Sequence, residues 1–85
     1  MITMISSKLI MENRLKEVIA SVFELEVDEV DEQTSSDNVS KWDSLHHMNL
    51  ISALEEEFEV EFDEDEMIEL TTYKLIHLTL QEKLN

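Results

Sequence analysis

The chain has 85 residues, of which 42% are hydrophobic, so it can form one small domain with a modest core and is too short for two. Six basic residues against 21 acidic ones give a net charge of −15. Phosphate groups and anionic membrane surfaces would repel such a chain, so it is not expected to bind nucleic acid or insert into a membrane. The expected partners are proteins with basic patches.

Cysteine is absent, which excludes disulfides, thiolate metal sites and cysteine nucleophiles. The segment MITMISSKLIM is apolar in places, but Ser6, Ser7 and Lys8 interrupt it and no charged segment precedes it. We therefore expect neither a signal peptide nor a spanning helix, and we expect a cytoplasmic protein.

Glycine and proline are also absent, whereas average usage would give roughly ten of the two together. Turns and helix ends must therefore use Asn, Asp, Ser and Thr, which tolerate left-handed backbone and cap helices through their side chains. Tight strand hairpins of the Asn-Gly type are not available to this sequence. The composition favours helices.

The first predicted element is a helix from about Lys8 to Glu24, because apolar residues recur there at helical spacing. Ser6 or Ser7 is its predicted N-cap. The apolar stripe consists of Met11, Leu15, Val18, Ile19, Val22 and Phe23.

A polar stretch follows from about Leu25 to Asp43, and a connection of this length in a compact domain is usually functional or mobile. Its few apolar residues are expected to attach it to the core. Trp42 is the only tryptophan and lies just before the next helix. We expect it to anchor the loop in the core, and the alternative is an exposed recognition residue.

The clearest helix has Asp43 or Ser44 as its N-cap and includes Phe58. Asp63 and Glu66 then have the spacing of a capping box at the start of a short helix.

A last helix begins after Thr71 or Thr72, its predicted N-cap, and reaches about Lys83. These elements predict an all-α fold, a small four-helix bundle with three main helices and one short helix. We expect one domain over residues 1–85, with residues 1–7 as the candidate for a loose N-terminal extension.

The acidic and histidine residues do not predict a metal site. The run EFDEDEMIE lacks the glycine and the alternating ligands of a calcium loop. His46 and His47 are neighbours that point about 100° apart on a helix, and His77 lies far along the chain, so all three are expected to be exposed surface histidines. No set of nucleophile, base and oxyanion donor is visible, so we do not expect an enzyme.

Ser44 lies between a polar loop and the first turn of a helix, and two interpretations are open for it. It can cap the helix, as serines in such positions commonly do. It can instead be the attachment site of a phosphate-bearing group. A phosphodiester there would face free N–H groups and the positive end of the helix dipole.

The residues around Ser44 belong to a longer motif. The motif begins with Asp43, Ser44 and Leu45. Its second part is ALEEEF at residues 53–58, which keeps the motif's spacing from Leu45 with no insertion or deletion. The first helix and the segment around Thr71 continue the same pattern. The sequence thus resembles the acyl carrier protein family over nearly its whole length.

The resemblance implies a four-helix carrier domain in which Ser44 accepts 4′-phosphopantetheine from coenzyme A, within the motif completed by Asp43 and Leu45. The thiol of that arm would hold an acyl group as a thioester, so the protein would carry an intermediate without catalysing a reaction. The pathway implied is fatty-acid, polyketide or a related specialised biosynthesis. An aminoacyl or peptidyl carrier of a nonribosomal-type pathway is one alternative, and an unmodified helical adaptor is the other.

The resemblance also implies partners for a monomeric carrier. These are a phosphopantetheinyl transferase, an acyl-loading ligase or transferase, and synthases or transferases with basic docking patches. Partners are expected to dock on the second helix, where the candidate residues are His46, His47, Met48, Asn49, Glu55 and Glu56. The acyl chain is expected to lie inside the bundle, where the candidate pocket residues are Leu54, Phe58, Phe62, Met67, Leu70 and Ile76.

The sequence departs from the family pattern at several positions. Lys41 stands where the family commonly has glycine, and Glu59 and Asp63 stand where it has glycine and proline. Early in the second helix, histidine and asparagine replace the usual acidic residues. We expect attachment to be retained, whereas a role in the housekeeping fatty-acid pathway and a dedicated carrier role in a specialised pathway both stay open.

Overall fold

A computed structural model describes residues 3–84 of the chain, with side chains described from residue 10 onward. The described chain has four α-helices and no strand, which confirms the predicted all-α bundle of three main helices and one short one. A short 3-10 turn, Val27–Glu29, lies in the long connection after the first helix. The helices are α1 (Thr3–Phe23), α2 (Ser44–Phe58), α3 (Glu64–Glu69) and α4 (Tyr73–Leu84).

The start of α1 differs from the prediction. The helix begins at Thr3, so Ser6 and Ser7 lie within it and neither is its N-cap. No glycine or proline interrupts this segment, and serine costs only a few tenths of a kcal/mol more than the best helix formers. The helical backbone of residues 3–7 is continuous with the rest of α1, and residues 1 and 2 of the expected loose extension lie outside the described residues.

The N-caps of the other three helices agree with the sequence prediction. The Asp43 carboxylate caps α2, and Asp63 and Glu66 form the predicted reciprocal capping box of α3. At the start of α4 the Leu75 N–H donates to Thr72 Oγ1 over 3.1 Å.

The two longest helices, α1 and α2, both end at a glutamate with left-handed backbone. Glu24 has φ 58° and Glu59 has φ 54°, a conformation that glycine adopts more easily than any residue with a Cβ. After α1 the Leu25 N–H donates to the Ala20 carbonyl over 2.8 Å, and Val60 makes the corresponding bond after α2. These bonds satisfy helix C-terminal carbonyls and fix the direction of the chain.

The helices share one hydrophobic core. Its centre is made of aliphatic and aromatic side chains with almost no exposed surface, each contributing about 1.5–3 kcal/mol relative to an exposed position. The fully buried members are Leu15, Ile19, Phe23, Val30, Leu50, Ile51, Leu54, Leu70, Ile76 and Leu80.

The long connection between α1 and α2 is tied to the start of α4 by backbone bonds. The Tyr73 N–H donates to the Thr34 carbonyl, and the Ser36 N–H donates to the Thr71 carbonyl, each over 2.9 Å. The Thr34 side chain is buried, and its Oγ1 accepts from the Asp31 N–H over 2.9 Å. These contacts, together with buried Val30, hold the connection against the helices as the sequence predicted, and they determine where it enters α2.

Candidate functional site

Ser44 is the first residue of α2 and its side chain is exposed. Its hydroxyl forms no hydrogen bond with any residue that the structure describes, so the oxygen is available for chemistry. The next residue, Leu45, is 69% exposed, and Met48, one turn along α2, is 51% exposed. An apolar patch therefore adjoins the serine.

Asp43, and not Ser44, caps α2. Its carboxylate accepts the His46 N–H over 2.8 Å and lies 2.8 Å from His46 Nδ1. The backbone hydrogen bond from His46, followed by the bond to the imidazole, lowers the pKa of Asp43 below its ordinary value of 3.8. The cap is thus a carboxylate at neutral pH, and Ser44 is not needed for capping.

The first turn of α2 fits the phosphodiester of an arm attached to Ser44. The helix has 15 residues and no acidic side chain in its first turn. Within the described chain, the N–H groups of Ser44 and Leu45 have no hydrogen-bond acceptor. An anion on the serine oxygen would therefore lie beside free donors at the positive end of the helix dipole.

Trp42 anchors the segment before Ser44, as predicted. Its side chain is 9% exposed and stacks on Phe23 of α1, with ring centroids 4.5 Å apart. The alternative of an exposed recognition residue is therefore wrong. On the outer side of the same segment, Lys41 forms an exposed ion pair with Glu24 over 2.8 Å.

His46 and His47 are half-buried, so the prediction of exposed surface histidines is wrong for both. His46 turns back to the Asp43 cap, and its ring lies 6.1 Å from the Phe23 ring. His47 lies between two polar groups, accepting from Trp42 Nε1 over 3.0 Å and contacting the Met67 carbonyl over 2.7 Å. These partners come from other elements, and the only signal in the sequence was the single tryptophan five residues earlier.

The third histidine lies away from this site and is also half-buried. His77 of α4 stacks on Tyr73 with ring centroids 5.9 Å apart, and its Nε2 lies 3.3 Å from a Glu12 carboxylate oxygen of α1. Burial, and then the charges of Glu12 and Glu32, raise the pKa of Tyr73. Among the described residues, no three His, Asp or Glu side chains lie close enough together to hold a metal ion.

All six candidates for the acyl pocket belong to the core or pack against it. Five of them are buried, and Met67 is partly buried against the same cluster. An open groove of about 300 Å³ lies elsewhere, between α1 and α2, where Val18, Val22 and Ala53 form its apolar floor. The shelter for an acyl chain would therefore have to open among closely packed side chains.

The six docking candidates divide into two groups. Met48, Asn49 and Glu56 are exposed along the outer face of α2. Glu55 instead accepts the Phe62 N–H over 3.0 Å and holds the turn that follows α2. His46 and His47 are half-buried and hydrogen-bonded within the chain.

The fold and this site define a small helical domain with an exposed serine, Ser44, at the start of α2. A family model described as the phosphopantetheine attachment site matches residues 13–76, which is more than half of the chain. The chain therefore belongs to the family of phosphopantetheine-bearing carrier domains that includes acyl carrier proteins, and its cofactor is covalently attached 4′-phosphopantetheine. Such domains generally act with phosphopantetheinyl transferases and biosynthetic enzymes, and are generally carriers without catalytic activity of their own.

The helices of the described chain include none with the length and apolarity needed to cross a bilayer.

Proposed function

We propose that the protein is an acyl carrier whose phosphopantetheine arm is attached to Ser44. The observation that supports this most directly is the exposed, unbonded hydroxyl of Ser44 at a helix start that Asp43 already caps. If the Ser44 hydroxyl capped the helix, modification would break the capping hydrogen bond. Ser44 can change its oxygen substituent without cost to the fold.

Attachment needs coenzyme A and a transferase. The Ser44 oxygen bonds to the phosphorus that bears pantetheine, the phosphoanhydride bond breaks, and adenosine 3′,5′-bisphosphate leaves. The hydroxyl proton passes to a base of the transferase. The free N–H groups of Ser44 and Leu45 would lie beside the resulting phosphodiester and could stabilise its charge. The arm supplies a thiol, which the cysteine-free chain lacks, to hold an acyl group as a thioester.

Intact mass tests the attachment. After incubation with coenzyme A and a phosphopantetheinyl transferase, the wild-type chain should gain one phosphopantetheinyl group and Ser44→Ala should gain none. Ser52→Ala is the matched control, because Ser52 is an exposed serine of the same helix without the Asp-Ser-Leu context. An unmodified wild-type chain would favour the adaptor role, and a modified Ser44→Ala would refute the assignment.

The cargo is proposed to be an acyl group, because the ALEEEF segment of α2 matches acyl carriers. An aminoacyl or peptidyl carrier has the same fold and arm, so loading assays with acyl and aminoacyl ligases separate the two. The proposed setting is fatty-acid, polyketide or a related specialised biosynthesis in the cytoplasm.

We further propose that the acyl chain is sheltered in the core, by separation of the side chains around Leu54, Phe58 and Met67. Met67 is unbranched and only partly buried, so it can move aside most easily. Methyl and ring NMR signals of these residues should shift between the unloaded form and a form carrying a medium-length acyl chain. Unchanged signals would contradict the shelter and leave the attachment at Ser44 unaffected.

A further inference from the structure

A chain of side-chain contacts runs through the segment that carries Ser44. The Phe23 ring of α1 stacks on Trp42, Trp42 Nε1 bonds to His47 Nδ1 over 3.0 Å, and His47 Nε2 lies 2.7 Å from the Met67 carbonyl of α3. The Trp42–His47 bond spans five residues, with Ser44 between its two ends. One imidazole thus joins the loop before Ser44, the helix that follows it and α3.

The chemistry of these partners determines the form of the imidazole. The indole N–H of Trp42 can only donate, so His47 Nδ1 must be the unprotonated acceptor. A neutral imidazole then has its one hydrogen on Nε2, and this N–H donates to the Met67 carbonyl. Both contacts require the neutral Nε2–H form of His47, because a hydrogen on Nδ1 would face the indole N–H.

Both partners of His47 have reason to bond to it. Trp42 is buried against Phe23, and a buried indole N–H without an acceptor is unfavourable. Met67 lies in the last turn of α3, a helix of only six residues, where carbonyls lack donors within the helix. Bonding to both groups lets His47 fix the attachment loop and α3 relative to α2.

We propose that His47 is a positioning residue for the transfer of phosphopantetheine to Ser44. Its bond to Trp42 closes the backbone turn that presents the Ser44 hydroxyl, and its bond to Met67 keeps the neighbouring α3 surface in a constant relation to that hydroxyl. A transferase then meets a site that is already ordered and does not have to order it on binding. This inference rests on the proposed attachment at Ser44.

Four variants separate the contributions of the two bonds. His47→Asn keeps an acceptor near the position of Nδ1 and is too short to reach Met67. His47→Gln places a donor near the position of Nε2 and gives up the bond to Trp42. His47→Leu removes both bonds, and Trp42→Phe removes the indole donor and keeps the aromatic stack on Phe23.

The measurement is kcat/KM for arm uptake from coenzyme A. Trp42→Phe should lower it on the order of tenfold, the effect of losing one hydrogen bond of about 1.4 kcal/mol, and His47→Leu, which loses both bonds, should lower it further. The double variant should be no slower than the slower single variant, because both remove the same bond. Relative to His47→Leu, His47→Asn should recover the part of the rate that depends on the Trp42 bond, and His47→Gln the part that depends on the Met67 bond.

The control for general loss of stability is His77→Leu, which removes a half-buried histidine on α4, away from Ser44. It should leave arm uptake unchanged under conditions where all the variants are folded. The second readout is ¹⁵N NMR of the unmodified wild-type chain, where His47 should show a protonated Nε2 and an unprotonated Nδ1. This readout does not depend on any substituted chain folding.

The outcomes distinguish the two proposals. If the wild-type chain takes up no arm, the attachment at Ser44 fails, and the positioning role fails with it. If the wild-type chain is modified and His47→Leu is modified equally fast, only the positioning role is overturned. A proton on His47 Nδ1 in the NMR spectrum would also overturn it.

Discussion

Asp43 and Ser44 are adjacent, and either could have capped α2 on sequence grounds. The structure gives the capping to Asp43, whose carboxylate accepts the His46 N–H, and leaves the Ser44 hydroxyl without a partner among the described residues. Substituting Ser44 therefore removes no bond that the fold uses. A substitution at an exposed position of this kind changes the free energy of unfolding by no more than about 0.5 kcal/mol.

The bonds from His46 make the Asp43 cap depend on pH. Because they lower the pKa of Asp43 in the folded chain, its contribution to stability is complete above the ordinary value of 3.8 and is lost as the pH falls through the lowered value. In Asp43→Asn the side-chain oxygen can still accept the His46 N–H, but the charge is absent. We expect this variant to lose less stability than the wild type on acidification below about pH 4.

Urea unfolding of the two chains between about pH 2 and pH 7 measures this difference. The pKa of Glu66 is also lowered, by Lys83 and the Asp63 backbone. Its contribution to the pH dependence should be the same in both chains and should cancel in the comparison. Parallel stability curves for the wild type and Asp43→Asn would show that the Asp43 charge does not contribute.

The sequence predicted some residues of the site and missed others for a physical reason. Ser44 and the buried Trp42 were predicted because their signals are local: a motif, a helix start and a lone large apolar side chain. His47 was predicted to be an exposed docking residue, and its internal bonds were missed because its acceptor, the Met67 carbonyl, lies 20 residues away on another helix. Backbone groups carry no signature in the sequence, so a histidine that bonds to one cannot be distinguished from a surface histidine.

At the scale of the elements, the positions of α2, α3 and α4 followed from their caps, and the start of α1 did not. Each of these helices begins after a residue whose side chain accepts a local hydrogen bond, namely Asp43, Asp63 or Thr72. Such N-caps can be predicted from sequence. In sequence, Ser6 and Ser7 resemble such N-caps, but in the structure they lie within α1. The left-handed helix ends at Glu24 and Glu59 were not predicted either, because neither position has the glycine that usually indicates such an end.

Glu59 provides a prediction for the end of α2. A residue with a Cβ at φ 54° is strained relative to glycine, and the Glu59 side chain is exposed. Glu59→Gly should therefore raise the free energy of unfolding by about 0.5–1 kcal/mol, after allowing for the greater entropy of glycine in the unfolded chain.

Glu56→Gly is the matched control for Glu59→Gly, because it makes the same change of charge and size inside α2. It should destabilise the protein by about 1 kcal/mol. Thermal melts of the three chains measure both effects. If Glu59→Gly melts at or below the wild-type temperature, the left-handed backbone is not a source of strain.

At the scale of the whole molecule, the net charge of −15 is the dominant electrostatic feature. Exposed ion pairs such as Arg14–Glu57 and Lys41–Glu24 contribute at most about 1 kcal/mol each, and salt weakens them. Repulsion among 21 acidic residues acts in the opposite direction, and salt weakens that too. Because the unpaired acidic residues greatly outnumber the pairs, we expect the relief of repulsion to dominate.

The melting temperature should therefore rise with ionic strength, as the Debye length falls from about 30 Å at 0.01 M to about 8 Å at 0.15 M. Magnesium or calcium should raise it further than sodium at equal ionic strength, because clustered carboxylates bind divalent ions loosely. A flat or falling melting temperature would show that charge repulsion does not limit stability.

The same charge bears on how partner enzymes find the arm. We expect an enzyme that acts at Ser44 to approach the outer face of α2, where Met48, Asn49 and Glu56 are exposed. A basic patch on the enzyme would gain association rate from an acidic face, more than it gains affinity, and would lose that gain in salt. Asn49 and His46 contribute no negative charge near Ser44, and Glu56 is the first exposed acidic residue along α2, so it is the one to test.

Glu56→Lys should slow arm uptake and acyl transfer at low ionic strength, on the order of tenfold or less, and the difference should shrink as salt is added. Glu55 is left intact in this test because it holds the Phe62 N–H, and its loss would disturb the turn after α2. Glu82→Lys makes the same charge reversal at an exposed position of α4, so it controls for the change in total charge. If both variants slow transfer equally, the enzyme responds to the charge of the whole molecule, and docking is not centred on the outer face of α2.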